Sequence, residues 1–385
     1  MMYGLIGRTL KHSFSKEIHE KLGYDYELKE LEPSEVADFI RKKEFSAINV
    51  TIPYKETVMP YLDEIDDHAK AIGSCNTIVK KDGKLYGYNT DFPAAKALIE
   101  RQGIDVKGKK ALIFGTGGTS KTYYAVLKTL GADPIYKVSR NPKDTEMSYD
   151  EAYKKHCNAQ ILVNTTPVGM YPNTDASPID FERFKNPLLA IDAIYNPLKT
   201  RFILDAEKSG IKCSGGLYML SAQAVYASEL FGKAAADKKT VDSIYKSLVA
   251  EKRNLVFISF SAGIRNTVAK LFDKNYIDID IEIEKKYSMP ADEIIDRFGK
   301  EDYVKKESEI IKEFSLKNGI VISCGANEKN IVNLKQNGIT VFVKDNALPI
   351  HKICNMCDVS VLFEGEDKTF EKAKEEIQKY ENSCY

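Results

Sequence analysis

The stretch Lys110-Ala-Leu-Ile-Phe-Gly-Thr-Gly-Gly118 decides the fold of the central part of this 385-residue chain. Its apolar half predicts a buried strand over 110–114, and Gly115, Gly117 and Gly118 predict a tight turn that opens a helix. A dinucleotide pyrophosphate requires such glycines, because side chains would keep it from the backbone N–H groups at the helix N-terminus. Glycine-rich turns are common, and the flanking strand and helix make this one a candidate dinucleotide site.

A second signal follows about twenty residues later, after a predicted strand at 135–139. There the chain reads Ser139-Arg140-Asn141, where an Asp or Glu would hold the ribose hydroxyls of NAD. An arginine beside a small hydroxyl residue suits the 2′-phosphate of NADP instead. Taken alone, Arg140 could be a solvated loop cation. Because the acidic residue is missing as well, the sequence predicts NADP as the cofactor.

Strands and helices alternate on both sides of this stretch. Before it we predict strands at 2–7, 25–31 and 46–50, helices at 15–22, 33–42 and 92–102, and a hairpin at 76–89 turning at Asp82-Gly83. After it we predict strands at 160–164 and 189–192, a helix at 218–232, and a helix tail and connector over 234–253. A last set of strands is predicted at 254–259, 275–279, 319–323, 339–343 and 358–362, before a helix at 367–380. This alternation indicates an α/β fold with a doubly wound parallel sheet in the central part.

The composition limits the functions that are compatible with the chain. Lys+Arg and Asp+Glu each number 56, so the basic excess typical of nucleic-acid binding is missing. The sequence shows neither a signal-peptide pattern nor a segment apolar enough for a membrane helix, and its seven scattered cysteines do not favour a disulfide framework. We therefore expect a cytoplasmic protein with a small-molecule partner, without nucleic-acid or membrane partners, and with a homodimer left open.

Several short polar motifs lie around the predicted strands. They are His12-Ser-Phe-Ser15, Asn49-Val-Thr-Ile-Pro-Tyr-Lys55, Ser74-Cys-Asn-Thr77, Tyr88-Asn-Thr-Asp91, Asn164-Thr-Thr-Pro-Val-Gly-Met170, Asp192-Ala-Ile-Tyr-Asn-Pro197 and Gly215-Gly…Ala222-Gln-Ala224. Each motif alone is weak, but their order over about 2–235 resembles the shikimate dehydrogenase family. The resemblance implies an N-terminal α/β substrate domain over 1–101, a Rossmann NADP-binding domain over 102–217, and a helix at 218–235 that returns to the first domain.

The same resemblance implies roles for individual residues. Lys55 would exchange a proton with the reacting oxygen, and Asp91 would pair with Lys55 and hold a hydroxyl of the substrate. Shikimate would be bound by Ser13, Ser15, Thr51, Asn76, Tyr195 and Gln223. NADP would be bound by Gly115, Gly117, Gly118, Thr119, Ser139, Arg140 and Gly216, and no metal is implied. Taken singly, Lys55 could be a surface cation, and Ser15 and Asp91 could be helix caps.

The chain departs from the family pattern at two places. Lys16 stands where a proline usually follows the second serine, and Ser139-Arg140-Asn141 stands where Asn-Arg-Thr is frequent. Both departures leave the catalytic pair intact. Relatives that use quinate often vary the serine pair and favour NAD, so both serines and Arg140 favour shikimate and NADP.

Residues 252–385 resemble shikimate kinase, most clearly in Tyr276-Ile-Asp-Ile-Asp-Ile-Glu-Ile-Glu284 and Asn318-Gly-Ile-Val-Ile-Ser323. This second resemblance implies a P-loop-kinase-like α/β domain. A kinase requires a glycine-rich loop that ends in Gly-Lys-Ser/Thr, whose amides, lysine and hydroxyl hold the phosphates and Mg²⁺. The corresponding stretch here is Ser259-Phe-Ser-Ala-Gly-Ile-Arg-Asn-Thr267, with Ile264-Arg265 in place of Gly-Lys and Asn266 in place of the hydroxyl residue.

The substrate side of this kinase-like region (252–385) is altered as well. Asp278 and Asp280 match the family, but Val304 replaces its arginine and only Gly325-Ala326-Asn327 remains of a glycine triplet. The segment 344–357 is too short for an arginine-bearing lid. We therefore expect a region that folds but does not transfer phosphate.

Three functions remain as alternatives on the sequence alone. The first is an NADP-dependent shikimate dehydrogenase, or one that also takes quinate; the second is a non-catalytic metabolite sensor; the third is a bifunctional dehydrogenase–kinase. The presence of both Lys55 and Asp91 favours the enzyme over the sensor, which would be free to lose them. Cys354-x-x-Cys357, with His351 nearby, lacks the second pair that a zinc site needs, so we interpret these cysteines as idle.

Overall fold

The strands form three separate β-sheets in the computed structural model, which describes residues 2–11, 13–272, 275–346 and 351–384. His12, in the first motif, and part of the segment 344–357 lie outside the described residues. The chain forms two compact units. The first comprises Met1–Val168, Ser177–Tyr195 and Asp205–Ser247, and the second comprises Gly169–Ala176, Asn196–Leu204 and Leu248–Tyr385.

The first sheet is mixed and belongs to the first unit. Its strands are β1 (Met2–Gly7), β2 (Glu27–Glu30), β3 (Phe45–Val50), β4 (Glu64–Ile65), β5 (Thr77–Lys81) and β6 (Lys84–Tyr88), in the order β2-β1-β3-β5-β6-β4. The accompanying helices are α1 (Ser15–Lys21), α2 (Val36–Lys42), α3 (Asp67–Ile72) and α4 (Asp91–Arg101). Strand β1 pairs in parallel with β2 and β3, and β5 pairs antiparallel with β3 and β6. The predicted strands and the hairpin are confirmed, whereas β4 and α3 were not predicted.

The hairpin between β5 and β6 turns where the sequence indicates. Asp82 and Gly83 both have positive φ values, 50° and 76°. Two successive left-handed residues give a turn whose twist matches that of the flanking strands, and Asp-Gly is a favoured pair for it.

The second sheet is entirely parallel. Its strands are β7 (Ala111–Phe114), β8 (Ile135–Val138), β9 (Ile161–Asn164), β10 (Leu189–Asp192) and β11 (Lys212–Ser214), in the order β11-β10-β9-β7-β8. The helices are α5 (Gly118–Thr129), α6 (Tyr149–Lys155), α7 (Arg201–Lys208), α8 (Leu217–Leu230) and α9 (Lys238–Lys252). Strands β7, β9 and β10 are buried throughout, as continuous apolar runs in a parallel sheet require. The predicted doubly wound sheet is confirmed.

One prediction in this part is wrong. The segment 234–253, predicted as a helix tail and connector, contains the 15-residue helix α9. Val241, Ile244 and Leu248 recur at helical spacing and are buried. The many charged residues between them hide this apolar stripe in the sequence.

The third sheet, in the second unit, is also parallel. Its strands are β12 (Asn254–Ser259), β13 (Asn275–Asp278), β14 (Ile320–Gly325), β15 (Gly338–Lys344) and β16 (Val359–Leu362), in the order β13-β14-β12-β15-β16. The helices are α10 (Ala262–Lys270), α11 (Ile279–Tyr287), α12 (Ala291–Phe298), α13 (Lys300–Ser315), α14 (Glu328–Asn337), α15 (Ile353–Met356) and α16 (Glu366–Cys384). Successive residues of β12 point into two different apolar clusters, Val256 into one and Phe257 into the other. Helices therefore cover both faces of this sheet.

Each of the three sheets falls inside one of the predicted ranges 1–101, 102–217 and 252–385; the limits of these domains stay a prediction. None of the described helices has the length and apolar character needed to cross a membrane.

Helix α8 packs against the first sheet although it follows the second sheet in the chain. Its residue Ala227, with Phe231 just beyond it, joins a buried cluster with Leu5, Leu10 and Tyr26. This packing brings the predicted site residue Gln223, on the same helix, into the unit that also holds the first sheet.

His19 of α1 is buried in the same area. Its ring stacks on Tyr26 with 4.0 Å between the centroids, and Nδ1 hydrogen-bonds with the hydroxyl of Tyr24. Burial lowers the pKa of His19 from 6.5 to about 3. The native protein thus keeps this imidazole neutral at pH values where the unfolded chain protonates it.

We predict that the free energy of unfolding falls as the pH decreases from 6.5 towards 3. The unfolded chain gains a proton at His19 in this range and the native protein does not, so the stability is complete above pH 6.5. Between pH 7.5 and pH 5 the loss is about 2 kcal/mol. Urea unfolding of His19→Asn should show this dependence reduced, whereas His68→Asn, at an exposed histidine, should retain it. Equal pH dependence in the two variants would contradict the assignment.

Candidate active site

A lysine–carboxylate pair lies beside the first sheet. Lys55 is five residues past the end of β3, and Asp91 is the first residue of α4. The Nζ of Lys55 donates to Oδ2 of Asp91 over 2.6 Å, and the two side chains are only 24% and 15% exposed. Partial burial weakens solvent screening of the pair. Because an ammonium has three N–H donors, two remain for a ligand oxygen.

Asn76 holds the backbone immediately before Asp91. Its Oδ1 accepts from the backbone N–H of Thr90 over 2.8 Å, and its Nδ2 donates to Oγ1 of Thr90 over 3.1 Å. Asn76 is 3% exposed. The structure therefore connects this predicted substrate-binding residue to the pair of Lys55 and Asp91 through Thr90, and one Nδ2 proton is left for another acceptor.

Two further asparagines belong to this network and were not singled out from the sequence, although both stand in the quoted motifs. Asn89 Nδ2 donates to the carbonyl of Ser74 over 2.8 Å, and its Oδ1 accepts from Phe92 N over 3.1 Å. Asn49 joins Tyr26 and Thr77 through hydrogen bonds of 2.7 and 3.0 Å. The interpretation of Asp91 as the cap of α4 is thus wrong. Asn89 receives the Phe92 N–H, and the Asp91 carboxylate binds Lys55.

Ser13 and Ser15 lie close together at the start of α1. Oγ of Ser13 donates to Oγ of Ser15 over 3.1 Å and accepts from the Ser15 backbone N–H over 3.2 Å. Phe14 is the N-cap residue, without a side-chain cap hydrogen bond, so the alternative that Ser15 caps the helix is wrong. Two adjacent hydroxyls at a helix start can donate to a carboxylate.

The other predicted substrate residues lie in the same unit. The ring of Tyr195 is 5.3 Å from that of Phe14, between centroids, and burial raises the pKa of Tyr195. Thr51 directly follows β3 and donates its backbone N–H to the carbonyl of Ile6. Gln223 donates to the carbonyl of Leu220 on its own helix, so it is not joined to the other predicted site residues by this bond.

The glycines of the second sheet have different structural roles. Gly115 has φ 108°, and a Cβ there would lie 2.7 Å from Oγ1 of Thr165, so its turn requires glycine. Gly117 is the N-cap of α5 and Gly118 its first residue. A Cβ at either position would meet no atom of the described residues within 4 Å. Packing therefore does not explain these two glycines, and they leave room for a phosphate at the helix N-terminus.

The remaining predicted cofactor residues are at the ends of the second sheet. Thr119 is half-buried in the first turn of α5, and Arg140 is exposed two residues past β8. Ser139 accepts the backbone N–H of Asn141 over 3.2 Å, which shapes the turn around Arg140. Gly216, in contrast, is required by packing, because a Cβ there would overlap the carbonyl oxygen of Ala193.

The loop of the kinase-like region that corresponds to a phosphate-binding loop is short. Helix α10 begins at Ala262, three residues after β12 ends at Ser259. The N–H of Arg265 donates to the carbonyl of Ser261 within the helix. An N–H group held in this way cannot also turn towards a phosphate.

Side chains from the start of α10 form an ion pair and hydrogen bonds beside this loop. Arg265 is 3% exposed and pairs with Asp280. Asn266 donates to Oδ2 of Asp278 over 2.6 Å and accepts from the hydroxyl of Ser323. The two aspartates that match the kinase family thus already have partners from α10.

Asn327, the last residue at the position of the family's glycine triplet, also has a hydrogen-bond partner. Asn327 is the N-cap of α14, and its Nδ2 donates to Oε2 of Glu307 over 2.9 Å. Burial raises the pKa of Glu307. Val304, at the position of the family's arginine, is one turn before Glu307 on α13 and is apolar.

The two cysteines of Cys354-x-x-Cys357 are free thiols in the structure. Cys354 Sγ lies 3.1 Å from Oγ of Ser360, and burial raises the pKa of Cys357 to about 12. Within the ranges that the structure describes, no three His, Cys, Asp or Glu side chains are grouped as metal ligands would be.

The second sheet is parallel and has a glycine turn at a helix N-terminus, and the first sheet carries a partly buried lysine–aspartate pair. Together they define the class of protein as one of the Rossmann type. Two family models match separate stretches of the chain. The model of the shikimate dehydrogenase substrate binding domain matches residues 5–78, and that of shikimate kinase matches residues 263–385.

Individual relatives agree with the first match. A shikimate dehydrogenase (NADP(+)) of Clostridium perfringens is 38% identical over 266 residues, which are 64% of this chain and 98% of the relative. The crystal structure of shikimate dehydrogenase 1 from Peptoclostridium difficile is 35% identical, with a TM-score of 0.59 over 64% of this chain and 97% of that one. The Thermus thermophilus shikimate 5-dehydrogenase in complex with NADP(H) and shikimate is 28% identical, with a TM-score of 0.57 over 64% and 99%. The chain belongs to the shikimate dehydrogenase family, and a shikimate kinase-like region follows the dehydrogenase part in the sequence.

Proposed function

We propose that this chain is an NADP-dependent shikimate dehydrogenase, which reversibly reduces 3-dehydroshikimate to shikimate on the route to chorismate and the aromatic amino acids. The observation that carries the proposal is the 2.6 Å pair of Lys55 and Asp91. Carbonyl reduction needs a proton donor at the oxygen that becomes a hydroxyl. A cationic lysine, fixed by a carboxylate and partly shielded from water, meets this need.

The residues of the pair divide the work as follows. NADPH, when bound, supplies the hydride that reduces the ketone carbon. Lys55 donates a proton from Nζ to the ketone oxygen as negative charge develops there, and takes it back in the reverse direction. Asp91 keeps the ammonium in place and accepts a hydrogen bond from a neighbouring hydroxyl of the substrate. Lys55 can exchange its proton with water, because its side chain is 24% exposed.

The substrate carboxylate is assigned to Ser13 and Ser15, whose hydroxyls are 3.1 Å apart. Asn76, Thr51 and Gln223 supply amide and hydroxyl groups for the ring hydroxyls of shikimate. Tyr195 contributes a partly buried phenol whose raised pKa keeps it protonated and able to donate.

NADP is the cofactor that the residues of the second sheet fit best. The exposed Gly117 and Gly118 leave space for the pyrophosphate at the start of α5. Arg140, with Ser139 and Thr119, offers a cation and hydroxyls to the 2′-phosphate. Names of relatives that include NADP(+) support this assignment.

We also propose that the kinase-like region does not transfer phosphate. Arg265 is held by Asp280 and Asn266 by Asp278, so neither is free for ATP or Mg²⁺. The homodimer stays an open alternative, which sedimentation velocity of the purified chain tests, and the expected cytoplasmic location stays a prediction.

The first prediction concerns the catalytic pair. Lys55→Ala removes the proton donor, and we expect kcat for shikimate oxidation to fall about 10²- to 10⁴-fold, measured by NADPH absorbance. Shikimate binding, measured by calorimetry, should persist. The control Lys96→Ala removes an exposed lysine of α4 and should keep kcat within about twofold. Turnover of Lys55→Ala at the wild-type rate would refute the assignment. Shikimate binding without turnover in the wild type would favour a metabolite sensor.

The second prediction concerns cofactor choice. Arg140→Ala removes a charged donor to the 2′-phosphate, which should raise Kd for NADP about tenfold or more. Kd for NAD, which has no such phosphate, should stay within about twofold and serves as the internal control. Both constants can be measured by calorimetry. An equal loss for the two cofactors would place Arg140 away from the 2′-phosphate.

The third prediction concerns phosphoryl transfer. With MgATP and shikimate the chain should release ADP no faster than a sample without shikimate, in a coupled assay at saturating ATP. The physical reason is that the groups required together for this chemistry are missing or already paired. ADP release that depends on shikimate and is lost in Asp278→Asn would contradict the proposal.

A further inference from the structure

Two loops of the dehydrogenase part fold with the kinase-like region. Residues 169–176 follow the end of β9, and residues 196–204 follow the end of β10 and include the first turn of α7. Both segments interrupt the first unit along the chain, and both belong to the second unit, together with residues 248–385. The two loops are also joined to each other, since the N–H of Tyr171 donates to the carbonyl of Asn196 over 3.1 Å.

The end of α14 holds both loops. The Nε2 of Gln336 donates to the carbonyl of Thr174 over 2.8 Å, and the carbonyl of the same residue accepts the N–H of Lys199 over 2.8 Å. Next to it, Oδ1 of Asn337 accepts the N–H of Leu198, also over 2.8 Å. Gln336 and Asn337 are each 1% exposed.

These bonds satisfy groups that would otherwise lack partners. The last carbonyls of a helix have no partner within it, and α14 ends at Asn337. The N–H of Lys199 therefore caps the helix at Gln336. Asn337 also donates to the carbonyl of Ser315, at the end of α13, over 3.4 Å. Buried amides with several polar contacts fix the backbone that they bind, because breaking one bond leaves a buried group unsatisfied.

A charged contact at the rim accompanies the buried ones. Lys312 of α13 pairs with Asp175 of the first loop, and both side chains are about half exposed, 45% and 58%. An exposed pair of this kind contributes little energy. The buried amides Gln336 and Asn337 therefore contribute more to the attachment than this exposed pair.

The second loop is continuous along the chain with the predicted substrate residue Tyr195. Asn196 directly follows Tyr195, and the attached residues Leu198 and Lys199 come two and three positions later. Consecutive Cα atoms are about 3.8 Å apart, so fixing these residues restricts the backbone of Tyr195. A shift of about 1 Å in a positioning group can cost a large factor in rate.

We propose that Gln336 and Asn337 are positioning residues for the dehydrogenase reaction, acting through the loops 169–176 and 196–204 on Tyr195. The kinase-like region then has a use that needs no phosphoryl transfer: it holds the backbone of two loops that follow strands of the second sheet. This inference rests on the proposed function for its kinetic consequence, but not for its structural one.

The test uses full-length variants. Gln336→Met keeps the size of the side chain but cannot donate to Thr174, and Asn337→Ala removes the acceptor for Leu198. We expect KM for shikimate to rise, or kcat to fall, about tenfold, with Kd for NADP within about twofold. The matched control is Asn330→Ala, which removes another buried amide of α14 whose partner is Glu307 rather than a loop. It should lower the melting temperature similarly and leave both kinetic constants unchanged.

A second readout does not depend on activity. The chain contains no tryptophan, so Tyr195→Trp introduces a single reporter at the end of the second loop. Its acrylamide quenching constant should increase about twofold when Gln336→Met is added, and should not change when Asn330→Ala is added. If Gln336→Met does not fold, Asn337→Ala, which removes the buried acceptor for the N–H of Leu198, takes its place, with the same direction of change expected.

The outcomes separate the two proposals. A wild-type chain without turnover whose reporter responds to Gln336→Met would overturn the proposed function and keep only the structural restraint of the loops on Tyr195. An active wild type in which kinetics and quenching are unaffected by Gln336→Met and Asn337→Ala would overturn the positioning role. Equal effects of Asn330→Ala would also overturn it, because they would indicate general destabilisation.

Discussion

Parallel pairing of strands is the constraint on which most of this molecule depends. Every strand pair in the second and third sheets is parallel, so each strand must be followed by a crossover that covers a face of the sheet. Both faces are then apolar, and polar side chains collect in the loops at the carboxyl edge of the strands. The glycine turn after β7, Arg140 after β8 and Tyr195 after β10 are all placed by this rule.

The carboxyl edges of the second and third sheets differ in the space that they leave for a ligand. After β7, Gly117 and Gly118 leave open space at the start of a helix. After β12, helix α10 begins almost at once, and Arg265 and Asn266 turn onto Asp280 and Asp278. A cation beside two aspartates satisfies charges that would otherwise be costly to bury. The kinase-like architecture thus persists, while Arg265 and Asn266 occupy the two aspartates that match the kinase family.

Buried amides connect the remaining parts. Asn76 and Asn89 fix the start of α4 and leave the Asp91 carboxylate to Lys55. Gln336 and Asn337 fix two loops of the dehydrogenase part in the second unit. In both places an uncharged side chain sets the backbone, and a neighbouring residue has the proposed role in the chemistry. Amides suit this role because one side chain both donates and accepts without the cost of burying a charge.

The sequence by itself determined the α/β class, the parallel sheets, the glycine turn and the family, because continuous apolar runs and ordered motifs are local patterns. It also indicated Lys55 and Asp91, although not the bond between them, which joins residues 36 positions apart. Only the tertiary structure decided that Asn89 rather than Asp91 caps α4, that 234–253 contains a helix, and that Arg265 pairs with Asp280. The contact of Gln336 with Thr174 spans 162 positions. No local pattern encodes such a partner, because it depends on how the ends of distant elements meet in space.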